Sequence, residues 1–252
     1  TAYEIYQCDW SSDVCSSDLD TDFFEYDCVI NCAIHPDYKA LRYDSSKDFD
    51  LIVGQKALEN DAHFIMFSSR RVYGMNDELK TYNENSKYIP ADNYGANKAK
   101  TEMALLLTNE KCTILRCSNV IGLELGRNSF MGYLMNQLIE KDLIELSISP
   151  YTKRDFLPLN ILGMIVENII SKNILGVYNV GSGIGINVGD IAKWLIKGYG
   201  KGDLISTSKE LKDQFILDNS NLIEDLHFHE NIFNENDIED YVFKLGQRLC
   251  GI

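Results

Sequence analysis

The chain has 252 residues, 45% of them hydrophobic, enough for a real core and for one large domain or one and a half ordinary ones. A formal net charge of −14 argues against a nucleic-acid partner, and no stretch reaches the ~18 apolar residues of a membrane span. The seven cysteines are odd in number and lack paired metal spacing, so free thiols, no metal and a cytoplasmic location are expected.

Residues 1–19 do not read like the rest. Asp9 to Leu19 has no helical or strand period and nearly repeats Ser-Ser-Asp. It resembles the translation of a short-read sequencing adapter, and Thr1 to Ile5 resembles the outer part of the same adapter. This segment is expected to be a cloning or assembly artefact outside the fold. The competing reading makes Tyr3 to Cys8 a strand, followed by Asp9.

Natural sequence is expected from near Asp20. Asp27 to Ala33 is an apolar run ending in small residues, which reads as a strand. Ser46 to Asn60 carries Phe49, Ile52, Val53, Ala57 and Leu58 at helical spacing. Phe64 to Phe67 reads as a buried strand ending at Ser68-Ser69, and 75–92 as a polar loop with Pro90. From Tyr94 to about Thr108 the chain is rich in helix formers such as Ala96, Ala99, Met103 and Leu106. That helix opens with Tyr94-x-x-x-Lys98, a spacing that puts both side chains on one face, a turn apart. A free tyrosine titrates near ~10 and is a poor base, and an ammonium one turn away favours its phenolate. Ser69, at the strand end, is the candidate hydroxyl for steadying a substrate oxygen.

Thr113 to Arg116 is a short strand running into Cys117-Ser118-Asn119-Val120-Ile121-Gly122. Phe130 to Lys141 reads as an amphipathic helix and Leu143 to Ile148 as a strand. After Lys153-Arg154-Asp155-Phe156-Leu157, Asn160 is placed to cap a helix from Ile161 to about Ser171. Gly176 to Val180 is a strand, Val188 to Lys197 a helix, and Phe215 to Leu249 alternates Asp/Asn-rich turns with apolar runs. His227 and His229 are two apart, which favours a structural role over a metal site.

In order, Ser68-Ser69-x-x-Val72-Tyr73-Gly74, Tyr94-x-x-x-Lys98, Leu115-Arg116-x-x-Asn119-Val120-x-Gly122, Arg154-Asp155-Phe156-Leu157 and Gly176-x-Tyr178-Asn179-x-Gly181 resemble the extended short-chain dehydrogenase/reductase family. This is the family of sugar-nucleotide epimerases, dehydratases and reductases, and the resemblance covers roughly residues 20–249. It implies an α/β fold, a doubly wound parallel (Rossmann-like) sheet lacking its first βαβ unit, with a smaller α+β substrate lobe. Residues 20–122 would form the partial NAD(P)-binding domain and 123–252 the substrate lobe, with a strand near 176–180 returning to the sheet. NAD or NADP is the implied cofactor and a nucleotide-linked sugar the implied substrate; a homodimer is left open. By resemblance, Tyr94 is the acid/base, Lys98 tunes it and holds the nicotinamide ribose, and Ser69 bonds the reacting oxygen. Cys32, Ala33 and Ser118 would lie along the cofactor. Asn119 and Arg154 would hold the substrate, a guanidinium fork suiting its diphosphate. The implied function is an NAD(P)-dependent epimerase or reductase; the alternative is a catalytically silent dinucleotide-binding regulator of the same fold.

The chain departs from the family's pattern at several places. Ile34 stands where a small residue is usual. Leu51, three residues before Gly54, replaces an asparagine, so one polar contact near the active site is expected to be lost. Arg70 and Arg71 stand where the 4,6-dehydratases carry an acidic pair, which demotes that subclass. No glycine-rich phosphate turn precedes Asp27, so the chain as written is expected to bind NAD(P) poorly.

Overall fold

In a computed structural model, residues 26–108, 111–228 and 233–250 are described, and both readings of residues 1–19 lie outside them. The elements in chain order are β1 (Cys28–Asn31), α1 (Phe49–Glu59), β2 (His63–Ser69), β3 (Lys80–Tyr82), α2 (Asn93–Thr108), β4 (Cys112–Cys117), β5 (Asn119–Ile121), α3 (Phe130–Lys141) and β6 (Leu143–Leu146). There follow β7 (Lys153–Pro158), α4 (Leu159–Lys172), β8 (Gly176–Val180), β9 (Gly185–Asn187), α5 (Val188–Tyr199), β10 (Asp203–Ser206), β11 (Phe215–Leu217), α6 (Ser220–Asp225) and α7 (Glu235–Leu249). Short 3-10 turns occupy Pro36–Lys39, Ser45–Lys47 and Arg70–Tyr73. Among the described residues no helix is long and apolar enough to cross a membrane.

The chain divides into two units. The first holds its described residues up to Gly74, Ser86–Cys117 and Asn168–Asn179. Its sheet has the order β1-β2-β4-β8, and β2 runs parallel to both β1 and β4. Phe64, Ile65, Met66, Ile114 and Leu115 are all fully buried, so both faces of the central strands are covered, as parallel sheets require. The fold is therefore α/β with a Rossmann-like parallel sheet, as the sequence implies. Leu51, Val53 and Ala57 of α1 and Leu105 of α2 join Phe64, Met66 and Ile114 in one core. Gly54 is needed there, because a Cβ would stand 2.5 Å from Leu105 and 2.9 Å from the Phe64 ring. Asp48 ends the preceding turn and caps α1, its Oδ1 accepting the Leu51 N–H at 3.2 Å.

His63 opens β2 and is only 5% exposed. The Thr113 hydroxyl donates its proton to the Ile174 carbonyl at 2.6 Å, so His63 Nε2, 2.7 Å away, must be the donor to it. Burial pushes the imidazole down to about 4. An unfolded histidine titrates near ~6.5, so between these values the unfolded chain binds a proton that the folded one refuses. Stability is expected to fall by roughly 3 kcal/mol from this group as the pH drops from about 6.5 to about 4. His63→Gln, which keeps a donor towards Thr113, should flatten that part of the urea-midpoint profile. Identical slopes in the two proteins would remove His63 as the cause.

The second unit holds Met75–Asn85, Ser118–Glu167 and the described residues from Val180 on. Here β7 pairs parallel with β5 and antiparallel with β9, while β6–β10 and β3–β11 are separate parallel pairs. Helices α3, α5 and α7 supply the core through Met131, Leu134, Leu138, Ile191, Leu195, Val242 and Leu245. Two local expectations are corrected. The stretch 75–92 is not all loop, since Lys80–Tyr82 pairs with Phe215–Leu217. Asn160 does not cap α4, because the helix begins at Leu159, directly after Pro158 closes β7.

Candidate active site

The site is built where β2 ends. After Ser69 the chain tightens into the Arg70–Tyr73 turn, and Ser69 Oγ accepts the Arg71 N–H at 3.2 Å. Helix α2 is started by Asp92, whose Oδ1 accepts the Gly95 N–H at 2.8 Å, while the Arg71 guanidinium bonds its other oxygen. Burial pushes the Asp92 carboxyl up, but the Gly95 N–H and Arg71 outweigh it and hold the group below the usual carboxylate range. A Cβ on Gly95 would stand 2.4 Å from the Arg71 carbonyl oxygen, so only glycine lets the turn and helix close. Tyr94, in the first turn of α2, is thereby brought beside Ser69, whose hydroxyl stands close enough to favour the phenolate. Its ring meets that of Tyr38 edge-on at 6.4 Å.

Lys98 lies one turn further along α2 and is 4% exposed. Its Nζ is 2.5 Å from Asp50 Oδ2 and 2.8 Å from the Phe67 carbonyl oxygen. Asp50, also 4% exposed, accepts a second bond at Oδ1 from Asn31 Nδ2 at 2.7 Å. Sequence reasoning missed both Asp50 and Asn31. A signal was present: Asp50 falls on the buried face of α1 with Leu51, Val53, Gly54 and Ala57, where an acid needs a partner. Leu51 itself packs in the core, and Asp50, one position earlier, puts a carboxylate against Lys98.

Lys98 acts on Tyr94 with the expected sign, but it is outweighed. Burial pushes the Tyr94 phenol above its ordinary value; Lys98 pulls it down, but Asp50 and Cys117 push with burial, and the net shift is upward. Burial would lower the Lys98 value, yet Asp50 and then Tyr94 hold its ammonium above the ordinary lysine range.

Cys32 and Ala33 follow β1. Asn31 shapes this turn through two 3.0 Å bonds, Nδ2 to the Ala33 carbonyl and Oδ1 from the Ala33 N–H. Behind the site stands a buried network that the sequence reading did not assemble. Glu102 of α2, 0% exposed, takes Arg116 Nη2 at 2.8 Å and Nε at 3.0 Å. The Tyr88 hydroxyl donates to the same carboxylate at 2.7 Å, and Ser68 donates to its other oxygen. Arg116 Nη1 also reaches Tyr73 Oη at 2.8 Å, and Tyr73 donates to Asn179 Oδ1 at 2.7 Å. The network thus ties the Ser68–Tyr73 segment to α2, β4 and β8.

Ser118, Asn119 and Arg154 belong to the second unit. The Ser118 N–H donates to the Val180 carbonyl at 2.9 Å, while Ser118 Oγ and Asn119 Nδ2 are buried without a hydrogen-bond partner among the described residues. Arg154 Nε bonds the Asp213 carbonyl at 3.1 Å, and its guanidinium sits 5.7 Å from the Phe130 ring centre. In the same motif Asp155 is fully buried and accepts the N–H groups of Ser182, Gly183 and Leu217 at 2.8–3.1 Å, a structural clamp.

The model of the family described as RmlD substrate binding domain matches residues 18–193. No curated protein gives a significant match. Among solved structures, the UDP-N-acetylglucosamine 4-epimerase from Methanobrevibacter ruminantium M1, in complex with UDP-N-acetylmuramic acid, superposes with a TM-score of 0.77 at 20% identity, covering 94% of this chain and 80% of that one. The UDP-N-acetylglucosamine 4-epimerase from Bacillus cereus gives 0.75 at 18% identity, with 94% and 84% covered. RMD from Pseudomonas aeruginosa, complexed with NADPH, gives 0.70 at 16% identity, with 89% and 82% covered. At these identities the likeness establishes the fold.

Proposed function

The chain belongs to the RmlD substrate binding domain family, and with it to the extended short-chain dehydrogenases/reductases, and from that premise we propose that it is an NAD(P)-dependent epimerase or reductase acting on a nucleotide-linked sugar. The observation that carries this reading is the grouping of Ser69 with Tyr94, Lys98 being buried one helical turn further along α2. It sits by the carboxyl ends of β2 and β4, at Ser69 and Cys117, the edge where open α/β sheets take ligands. That similar structures hold a UDP-sugar in one case and NADPH in another supports the substrate and cofactor classes.

The residues present fit the nicotinamide half of such a cofactor. An ammonium has three donors; Asp50 and the Phe67 carbonyl take two on Lys98, which leaves one for a ribose hydroxyl. The unpaired Ser118 Oγ and Asn119 Nδ2 are buried polar atoms that a ligand would satisfy. Cys32 and Ala33 offer backbone at the end of β1. When bound, the nicotinamide supplies or takes up the hydride. Tyr94 gives a proton to the sugar oxygen in the reducing direction and takes it back in the oxidising one. Ser69 donates a hydrogen bond to that oxygen, and Arg154 and Asn119 hold the nucleotide's diphosphate side. Arg71 is engaged with Asp92 and Arg70 with the Gly74 carbonyl, so neither serves as the acid/base that water elimination needs.

The test is a panel of UDP- and dTDP-linked sugars and ketosugars given to the full gene product with NADH or NADPH. Nicotinamide absorbance would report net reduction and NMR of the sugar would report epimerisation. Turnover of at least one nucleotide-sugar is expected. Dinucleotide binding with no turnover across the panel would instead leave the silent regulator.

A further inference from the structure

We propose that Asp50 is a positioning residue of this site: it is the direct counter-ion of Lys98 and sets how much of the lysine's charge reaches Tyr94. Its consequence for turnover rests on the reading above, in which Tyr94 is the acid/base.

The geometry carries the proposal. Asp50 is held from two sides, by Lys98 at 2.5 Å and by Asn31 at 2.7 Å. Asn31 is itself fixed, 7% exposed and bonded twice to Ala33. The carboxylate therefore cannot swing away without breaking the turn after β1. Lys98 is anchored in turn by Asp50 and by the Phe67 carbonyl, and so is pinned behind Tyr94 rather than free to approach its oxygen. A buried ammonium beside a carboxylate acts on a third group as a short dipole, weaker than a bare cation at the same distance.

Other charged or titratable groups surround the pair. Asp48 on α1 is engaged by the Leu51 N–H and the Thr101 hydroxyl. Tyr38 lies under Lys98, 5.5 Å from ring centre to Nζ, and bonds Thr101; Tyr43 lies near Asp48. Lys39 stands 5.7 Å from the Tyr94 ring centre. Cys112 and Cys117 on β4 and Cys32 after β1 are thiols within electrostatic reach of the pair. Among the described residues, Asp50 is the carboxylate paired with Lys98. Lys98 and Asp50 act on the Tyr94 phenol with opposite signs, which agrees with the geometry.

Asp50→Asn keeps the shape and an acceptor for Asn31 but removes the charge. Phenolate absorbance is titrated in the parent and in Asp50→Asn, each against its own Tyr94→Phe counterpart, so that the difference reports Tyr94 alone. The Tyr94 midpoint is expected to fall by about one pH unit or more in Asp50→Asn, the pH profile of turnover to move the same way, and Asp50→Glu to restore most of both. A midpoint within a few tenths of a unit of the parent's would overturn the proposal. Should Asp50→Asn fail to fold, Asn31→Leu, which keeps the charge but unseats it, is expected to lower the midpoint by less, and no movement there overturns the proposal equally. If the midpoint moves but the parent turns over no nucleotide-sugar, the coupling stands and the assigned reaction fails. If the parent turns over and the midpoint stays, the reaction stands and the role of Asp50 fails.

Discussion

Tyr94→Phe is expected to lower turnover by on the order of 10²–10⁴, the usual size of an acid/base contribution, with KM changed little. The substitution removes one oxygen and leaves the ring, which still meets Tyr38 edge-on at 6.4 Å, so the first turn of α2 should keep its place. What is lost is the proposed proton donor beside Ser69. At about 1.36 kcal/mol per tenfold, the loss corresponds to roughly 3–5 kcal/mol of transition-state stabilisation. A fall in kcat at steady KM marks an interaction made in the transition state, whereas a rise in KM alone would mark uniform binding. The direction of the pH dependence follows from burial, which together with Asp50 and Cys117 holds the phenol above its ordinary value despite Lys98. The protonated form then dominates at neutral pH. Reduction, in which Tyr94 donates, should be flat through neutrality and fall only as the pH climbs towards the raised value; oxidation, in which it accepts, should rise with pH. A tenfold loss or less in kcat would take the acid/base role away from Tyr94.

The parts of this site that can be read from sequence are those fixed by local spacing. Tyr94 and Lys98 are one helical turn apart, and Ser69 ends an apolar strand, so each is visible within a window of a few residues. Asp50 and Glu102 are not visible in this way. Asp50 meets Lys98 across 48 positions and Glu102 meets Ser68 across 34, so their pairing exists only once α1, α2 and β2 have packed. The pairing of Lys80–Tyr82 with Phe215–Leu217 fails for a different reason. Three residues cannot display a strand period, and the partners are far apart in the chain. The rule that a nearby lysine lowers a tyrosine's pKa holds for its own sign. It did not give the net direction, because neither the burial of Tyr94 nor the carboxylate that shares the lysine can be seen from Tyr-x-x-x-Lys. In Arg154-Asp155-Phe156 the motif was visible, but only packing reveals that Asp155, not its neighbour, clamps three backbone N–H groups.

Glu102→Ala is expected to destabilise the first unit by about 3–5 kcal/mol, the cost of removing one partner from a buried ion pair. Glu102 is 0% exposed and Arg116 is 2% exposed, so water cannot replace the lost carboxylate. Burial by itself would lower the Arg116 value, but Glu102 holds the guanidinium firmly charged. Arginine has no neutral form to retreat to, and its donors towards Glu102 would be left bare. Tyr88 and Ser68 would lose their acceptor in the same step. Urea unfolding of Glu102→Ala, Arg116→Met and the double variant Glu102→Leu/Arg116→Met separates the terms. The two single changes should each be strongly destabilising. The double change, which puts apolar volume where the pair was, should recover much of the loss, since such replacements are often close to neutral. A Glu102→Ala cost below about 1 kcal/mol would mean that the pair is solvated and the network unimportant. The same variants link stability to catalysis, because Ser68 is adjacent to Ser69 and Tyr73 closes the turn that follows it. With that segment no longer tied to α2, the placement of Ser69 beside Tyr94 loses its support. kcat should then fall in Glu102→Ala well below the temperature at which the unit unfolds, with KM staying near its parent value.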